Sequence, residues 1–358
     1  MVQKPVMQTS HPKPIAVTMG CPSGIGPEIA VAAVREARRY GIDCRIVGDR
    51  GVLIDAAVTL KHNPDELFGF PRNEDPQASI PVIETVAPLQ ARDRKPGAPT
   101  SVGGIAQLSW INHATDLAKH GHAAAIATGP VSKEVIARCG EPSACAFRGH
   151  TEHIAHRLGS PTAVMVFVAD RLAISPVTTH LALNSVASNL TATGVRDTTI
   201  ETTRVLLRLG VERPRVVVCA LNPHAGEGGL LGHEEASIIV PAISAARAWA
   251  SEQRVDSVID GPTSADVAFR TAMDGAYDGV VAMYHDQAMI AVKLRFFGRA
   301  VNLTAGLPII RTSVDHGTAY DIAGKGKADA GSLLRAIELA DRLARMDLGR
   351  GQGTSIWQ

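Results

Sequence analysis

The chain is 358 residues long, with 36 Lys plus Arg against 35 Asp plus Glu, a formal net charge of +1. That balance argues against nucleic acid and against an anionic membrane surface as partners, and the length predicts two domains rather than one small core. Apolar residues make up 45% and aromatic ones only 4%, so Ala, Val, Ile and Leu build the core, as in parallel strands buried beneath helices. The five cysteines (Cys21, Cys44, Cys139, Cys145, Cys219) form no C-x-x-C pair and read as reduced thiols of a cytoplasmic protein. Residues 1–13 are polar and precede no leader-like apolar run, and no apolar stretch approaches transmembrane length.

In chain order, residues 14–19 (PIAVTM) predict a strand that stops at Gly20 and Pro22,. A helix follows. Pro27 suits its first turn, Glu28 its positive end, and Gly41 lies beyond its basic C-terminal turn,. With a strand at 44–48, the opening reads β-α-β, which implies a parallel sheet. A short helix is expected over 52–60, then loops from 62 to 100 around one strand at 82–85. Beyond these come a helix at 102–119, a strand at 123–127, and a further helix from the TGPVSKEVI turn. The pattern continues with a helix at 150–158, strands at 164–169 and 172–177, and an amphipathic helix at 195–209. A strand at 216–221, the loop AGEGGLLG, a helix at 233–250, a strand at 257–260 and a helix at 265–273 follow. The strand at 280–283 delivers His285, and a last helix at 330–344 runs into a glycine-rich tail (GRGQGTSIWQ) expected to be loosely held,. The alternation predicts an α/β fold.

The stretch 278–329 sets ionisable groups into apolar runs: His285, Asp286, Lys293, Asn302, Arg311, Asp315, His316, Asp321 and Lys325. Charges placed directly after buried strands must be paired or face a cleft, and in open α/β sheets the cleft lies beyond the carboxyl ends of the strands. His180, His224 and His285 each follow an apolar strand, in the contexts VTTH, LNPH and AMYH. Imidazoles from several strand ends can converge on one divalent metal, or each can simply bond within a strand-end turn. Asp266 and Asp286 either complete or orient such a site, or are a helix-start residue and a surface charge. Lys293 and Arg311 suit a carboxylate or phosphate, or are solvated side chains. His150 and Thr151 open a helix whose amides can receive an anion; on the plainer reading Thr151 is a cap with Glu152 in the first turn. The glycine-rich pieces GCPSGIGPE and GEGGLLG match neither the Rossmann nor the Walker pattern,, and no G-x-S-x-G elbow is present.

Taken together, the segments GCPSGIGPE, GHTE, TTH, NPHAGEGG, MYHDQ and NLTAGLPIIRTSVDHGTAYDIAGKG resemble the 4-hydroxythreonine-4-phosphate dehydrogenase family of pyridoxal phosphate biosynthesis, over nearly the whole chain. More distantly, GIGPE and HGTAYDIAGKGKAD are similar to the isocitrate and isopropylmalate dehydrogenases, in which the equivalent loop holds the adenosine of NAD without a Rossmann fingerprint. The resemblance implies an isopropylmalate dehydrogenase-like fold: a cofactor-side domain of residues 14–145 plus 300–347, a central domain of residues 146–299 where a homodimer forms, and a cleft between them. It implies NAD-dependent, or NADP-dependent, oxidation of 4-phosphooxy-L-threonine followed by decarboxylation. It implies that His180, His224 and His285 bind zinc, magnesium or cobalt, one ligand coming from the second subunit. Substrate contacts are implied for His150, Thr151, Lys293, Asn302 and Arg311, and cofactor contacts for Gly317, Asp321, Ile322, Lys325 and Asp329. Lys293, Asp266 and Asp286 are alternatives for the proton donor or acceptor. Two departures stand out: Cys21, where the family usually has an acidic residue, and Leu230, where pyridoxine-pathway members often have histidine. The second is similar to the branch acting on 4-phospho-D-threonate or 4-phospho-D-erythronate. A non-catalytic ligand-binding regulator on the same fold is the reading from a different class.

Overall fold

The computed structural model describes residues 13–69 and 79–347; the glycine-rich tail and residues 1–12 lie outside them. The elements run β1 (Ile15–Thr18), α1 (Gly26–Arg39), β2 (Cys44–Val47), α2 (Arg50–Thr59), α3 (Pro64–Phe68), β3 (Val82–Ile83), α4 (Ser101–Lys119) and β4 (Ala125–Thr128). They continue as α5 (Lys133–Ala137), α6 (His150–Leu158), β5 (Val164–Ala169), β6 (Leu172–Thr178), α7 (Val186–Asn189), α8 (Ala192–Arg208), β7 (Arg215–Cys219) and α9 (Val240–Glu252). The chain closes with β8 (Val258–Thr263), α10 (Ala265–Met273), β9 (Gly279–Tyr284), α11 (His285–Phe296), β10 (Val301–Ala305), β11 (Arg311–Ser313) and α12 (Gly331–Asp347).

Local chemistry accounts for the element ends. The carboxylate of Asp49 accepts the Val52 N–H at 2.8 Å to start α2; Thr100, Ser132 and Thr191 hydroxyls do the same for α4, α5 and α8,. Pro27 sits in the first turn of α1, and Gly41 takes φ 79° beyond its end,. β1 is buried at every position, and so is β4, as strands covered on both faces should be.

All eleven strands join one sheet in the order β3-β2-β1-β4-β11-β10-β5-β6-β9-β7-β8. The expected parallel pairing holds on both flanks, β2–β1–β4–β11 and β6–β9–β7–β8. The centre differs. β10 runs antiparallel to β11 and to β5, and β5 antiparallel to β6. The physical reason is connection length: β5 and β6 are joined by Asp170 and Arg171 alone, with Asp170 at φ 48°, and two residues can only make a hairpin. β10, β11 and α11 were not among the expected elements. Polar residues at Asn302, Arg311, Asp286 and Lys293 interrupt the apolar patterns there; Asn302 and Arg311 face the cleft described below, and Asp286 and Lys293 pair with His285 and Asp315.

A second organising contact lies outside the sheet. The loop between β11 and α12 folds onto the turn after β1: Ile25 N–H donates to the Thr318 carbonyl at 2.9 Å. Gly324 N–H and Gly326 N–H donate to the two carboxylate oxygens of buried Glu28, at 2.6 and 2.8 Å. Cys21 Sγ and the Tyr320 hydroxyl are 3.3 Å apart. Glu28→Ala would leave two amides without acceptors. Its unfolding free energy should fall by about 2 kcal/mol in denaturant titration, with faster amide exchange across residues 317–326. Unchanged stability and exchange would refute the clamp.

Candidate active site

A cavity of about 290 Å³ opens where the carboxyl ends of β4, β6, β9 and β11 meet, the place where α/β sheets hold ligands. Its walls include His150, Thr151, His180, His285, Asn302, Arg311 and Gly317, so the fold gathers seven of the site residues read from the sequence. Neighbouring strand ends are held in step. Thr178 Oγ1 donates to the Met283 carbonyl at 2.9 Å, and Gln287 links Met283 N–H (2.6 Å) to the Ala220 carbonyl (3.0 Å). His180 and His285 consequently face each other with ring centroids 5.5 Å apart. His285 Nδ1 lies 2.7 Å from Asp286 Oδ1, which directs the other ring nitrogen away from Asp286. Burial, with the Lys133 ammonium and His285 nearby, holds His180 below the ordinary histidine range, so it offers a neutral imidazole.

Arg311 is the anchor of the opposite wall. It pairs across the hairpin with Thr304, on the face that also carries Asn302 and Ser313. Its guanidinium is 2% exposed and bonds three hydroxyls, Thr128 (2.8 Å), Thr304 (2.9 Å) and Thr151 (3.3 Å). Burial lowers its pKa to about 10, which keeps it cationic at neutral pH. Four buried polar atoms on the cavity wall lack a partner: His150 Nε2, Asn302 Oδ1, Arg311 Nε and His316 Nε2. Unpaired buried polar atoms are costly, and four around one cavity mark a place for a polar ligand. His150 is pushed well below the ordinary histidine range by burial, with Arg311, His153 and Lys133 adding repulsion.

Other candidates lie elsewhere. Lys293 is off the cavity wall, but its ammonium bonds Asp315 Oδ2 at 2.6 Å and the Asp315 carbonyl at 3.0 Å, and Asp315 lines the cavity. Asp286 is exposed and serves His285; Asp266 is exposed in the first turn of α10. Of the cofactor-side residues, Gly317 opens on the cavity, and a Cβ built there meets nothing within 4 Å. Asp321, Ile322 and Lys325 lie along the loop clamped by Glu28, with Lys325 Nζ bonded to the Asp321 carbonyl. Asp329 accepts the Gly331 N–H at 2.8 Å where α12 begins.

His224 stands apart. It begins a left-handed run, His224, Ala225, Gly226, Glu227 and Gly228, all at positive φ. Its side chain is 76% exposed. Buried Glu235 pins the start of this turn, accepting from Leu221 N–H (2.9 Å), Asn222 N–H (2.8 Å) and Asn222 Nδ2 (3.0 Å). Among the described residues no group of three acidic, Cys or His side chains converges within one chain.

Lys133 and Glu152 also line the cavity, and neither was singled out from the sequence. Lys133 had a signal: it is the first residue of α5, at the positive end of the helix dipole, where a lysine is unfavourable unless something else holds it.

The family model for the pyridoxal phosphate biosynthetic protein PdxA matches residues 42–340 of this chain. The chain is 42% identical over 354 residues to the 4-hydroxythreonine-4-phosphate dehydrogenase of Geobacter metallireducens, covering 97% of this chain and 100% of that one. It is 43% identical over 338 residues to the Desulfosudis oleivorans protein of the same name, covering 92% and 96%. A 4-hydroxythreonine-4-phosphate dehydrogenase structure from Klebsiella pneumoniae superposes with a TM-score of 0.77 at 39% identity, covering 93% of this chain and 99% of that chain.

The depressed pKa of His150 sets a stability gradient. Between its lowered folded pKa and the unfolded value near 6.5, the unfolded chain binds the extra proton, so stability rises with pH up to that value and is lost as pH falls below it,. His150→Gln should flatten the fall in unfolding midpoint between pH 7 and pH 5, roughly by one proton's worth. An unchanged slope would show that His150 protonates as freely in the folded protein as in the unfolded chain.

Proposed function

The chain belongs to the PdxA family of pyridoxal phosphate biosynthetic proteins, and on that premise we propose that it oxidises 4-phosphooxy-L-threonine with NAD. The secondary alcohol loses its proton and a hydride, and the resulting β-keto acid loses carbon dioxide to leave 3-amino-2-oxopropyl phosphate. The observation that carries this reading is the joining, in one cavity, of an anion-binding wall (Arg311, Thr151, His150) and an imidazole pair (His180, His285). The regulator reading is set aside, since the family is one of dehydrogenases. So is the sugar-acid reading, because the relatives carry the threonine-phosphate name.

The donor chemistry fits a divalent metal such as zinc, magnesium or cobalt: His180 is held neutral and His285 is oriented by a carboxylate,. The third ligand is His224 of a second copy. Holding His224, Ala225 and Glu227 at positive φ costs about 1–2 kcal/mol each, and such strain concentrates at functional sites. A homodimer also accounts for the exposed apolar side chains Ile290 and Leu294 on α11 and Phe297 just after it, together with Leu183 and Leu230,. NAD lies along the clamped loop, beside Gly317, Asp321, Ile322, Lys325 and Asp329. On this reading the boundary between residues 14–145 plus 300–347 and residues 146–299 falls between β10 and β5.

When bound, the metal acidifies the alcohol and polarises the ketone, and NAD accepts the hydride. The chain's own residues do the rest. Arg311 and Thr151 hold the anionic end, and neutral His150 fills in a hydrogen bond. Lys293 moves the proton, since its ammonium reaches the cavity wall through Asp315; Asp286 positions His285. Asp266, solvent-exposed in this chain, has no such link.

NADH formation with 4-phosphooxy-L-threonine should vanish on removal of divalent metal and return on its restoration. No NADH in folded, metal-loaded protein would refute the assignment. His224→Ala and His285→Ala homodimers should each be inactive, whereas the mixed dimer keeps one intact site and about half the wild-type activity per dimer. A mixed dimer as inactive as its parents would exclude the shared site.

A further inference from the structure

Lys133 belongs to the same wall as Arg311 but has no role in the reading above. It begins α5, just after β4, and its side chain lines the cavity. Its Nζ lies 3.5 Å from where a Cβ would stand on Gly149, the residue that precedes α6. No side chain caps that helix. A Cβ on Gly149 would come within 2.9 Å of Glu152 Oε2, so the glycine makes room for the Glu152 carboxylate and the Lys133 ammonium beside the amino end of α6. Among the described residues Lys133 has neither an ion-pair nor a hydrogen-bond partner. Lys293, by contrast, is neutralised by Asp315 at 2.6 Å.

The anion-binding wall thus holds two cations without a bound carboxylate: the Lys133 ammonium and the guanidinium of Arg311, which is nine-tenths buried and has an unpaired Nε. The one opposing charge left free on that wall is Glu152. Two cations and a helix amino terminus without a side-chain cap match a dianion better than a single carboxylate,.

We propose that Lys133 is a substrate-binding residue that, with Arg311 and the amino end of α6, takes the phosphate monoester of the substrate. The proposal deepens the dehydrogenase reading and rests on it for the identity of the substrate, though not for the chemistry of the anion.

Inorganic phosphate binding, followed by calorimetry on the intact protein, is the direct test, because it needs no turnover. Lys133→Gln should weaken phosphate about tenfold, as expected for one charge-assisted contact, and Lys133→Arg should recover most of the loss. In steady state, the KM for 4-phosphooxy-L-threonine should rise by a similar factor, with the KM for NAD and kcat within about twofold of wild type. Equal phosphate affinity in wild type and Lys133→Gln would overturn the proposal. So would a change confined to the KM for NAD, or a wild-type protein that binds no phosphate at all. The last result would leave the dehydrogenase reading to be judged separately by NADH formation.

Discussion

A guanidinium in the middle of the sheet is the constraint that the rest of the architecture answers to. Arg311 sits on β11 between β4 and β10, 2% exposed, and hydroxyls of Thr128, Thr151 and Thr304 are its only hydrogen-bond partners. Hydroxyl oxygens accept its N–H groups but bring no charge, and a buried cation without a counter-ion is costly. Among the described residues no carboxylate stands within ion-pair distance of it. An anion entering from the cavity would supply the missing charge, and Arg311 Nε is left unpaired to receive it. The three threonines belong to β4, α6 and β10, so one side chain ties two strands and a helix together.

Two other features follow the same logic of incomplete satisfaction. His180 and His285 are brought together by hydrogen bonds at the strand ends, yet the third imidazole of the implied set is turned outward on a left-handed turn. The turn is not lax: two adjacent glutamates, Glu234 and Glu235, bind Asn222 and the backbone at its start. Firm anchoring of a strained turn whose imidazole points away from its own cavity is what the proposed shared site requires. The loop carrying Gly317 to Lys325 is likewise held before any ligand arrives, because Glu28 binds its amides. That preorganisation lowers the entropy lost on binding.

What could be read from the amino-acid order was set by local rules. Apolar periodicity, with Pro27 and Glu28 opening α1 and Gly41 following it, located most helices and flank strands,. The motifs named His150, Arg311 and the histidines as a set. β10, β11 and α11 were not legible, because they build the cavity wall and their polar positions break the apolar rhythm that would reveal them. Glu152 was illegible for a related reason: it looks like an ordinary first-turn residue until the fold turns it toward the cavity, and Lys133 carried only the mild signal of a cation at a helix amino end,.

The sequence by itself determined the α/β class, the family and the residue types available for chemistry, since each is carried by composition or by contiguous motifs. Only the tertiary structure decided which of those residues meet. It placed Arg311 in a buried seam, linked Lys293 to the cavity through Asp315, and turned His224 outward. The pairings in question, Lys293 with Asp315, Glu28 with Gly324 and Arg311 with Thr128, span from 22 to 296 residues of chain. Contacts at such separations come from sheet order and loop packing, which no local pattern encodes.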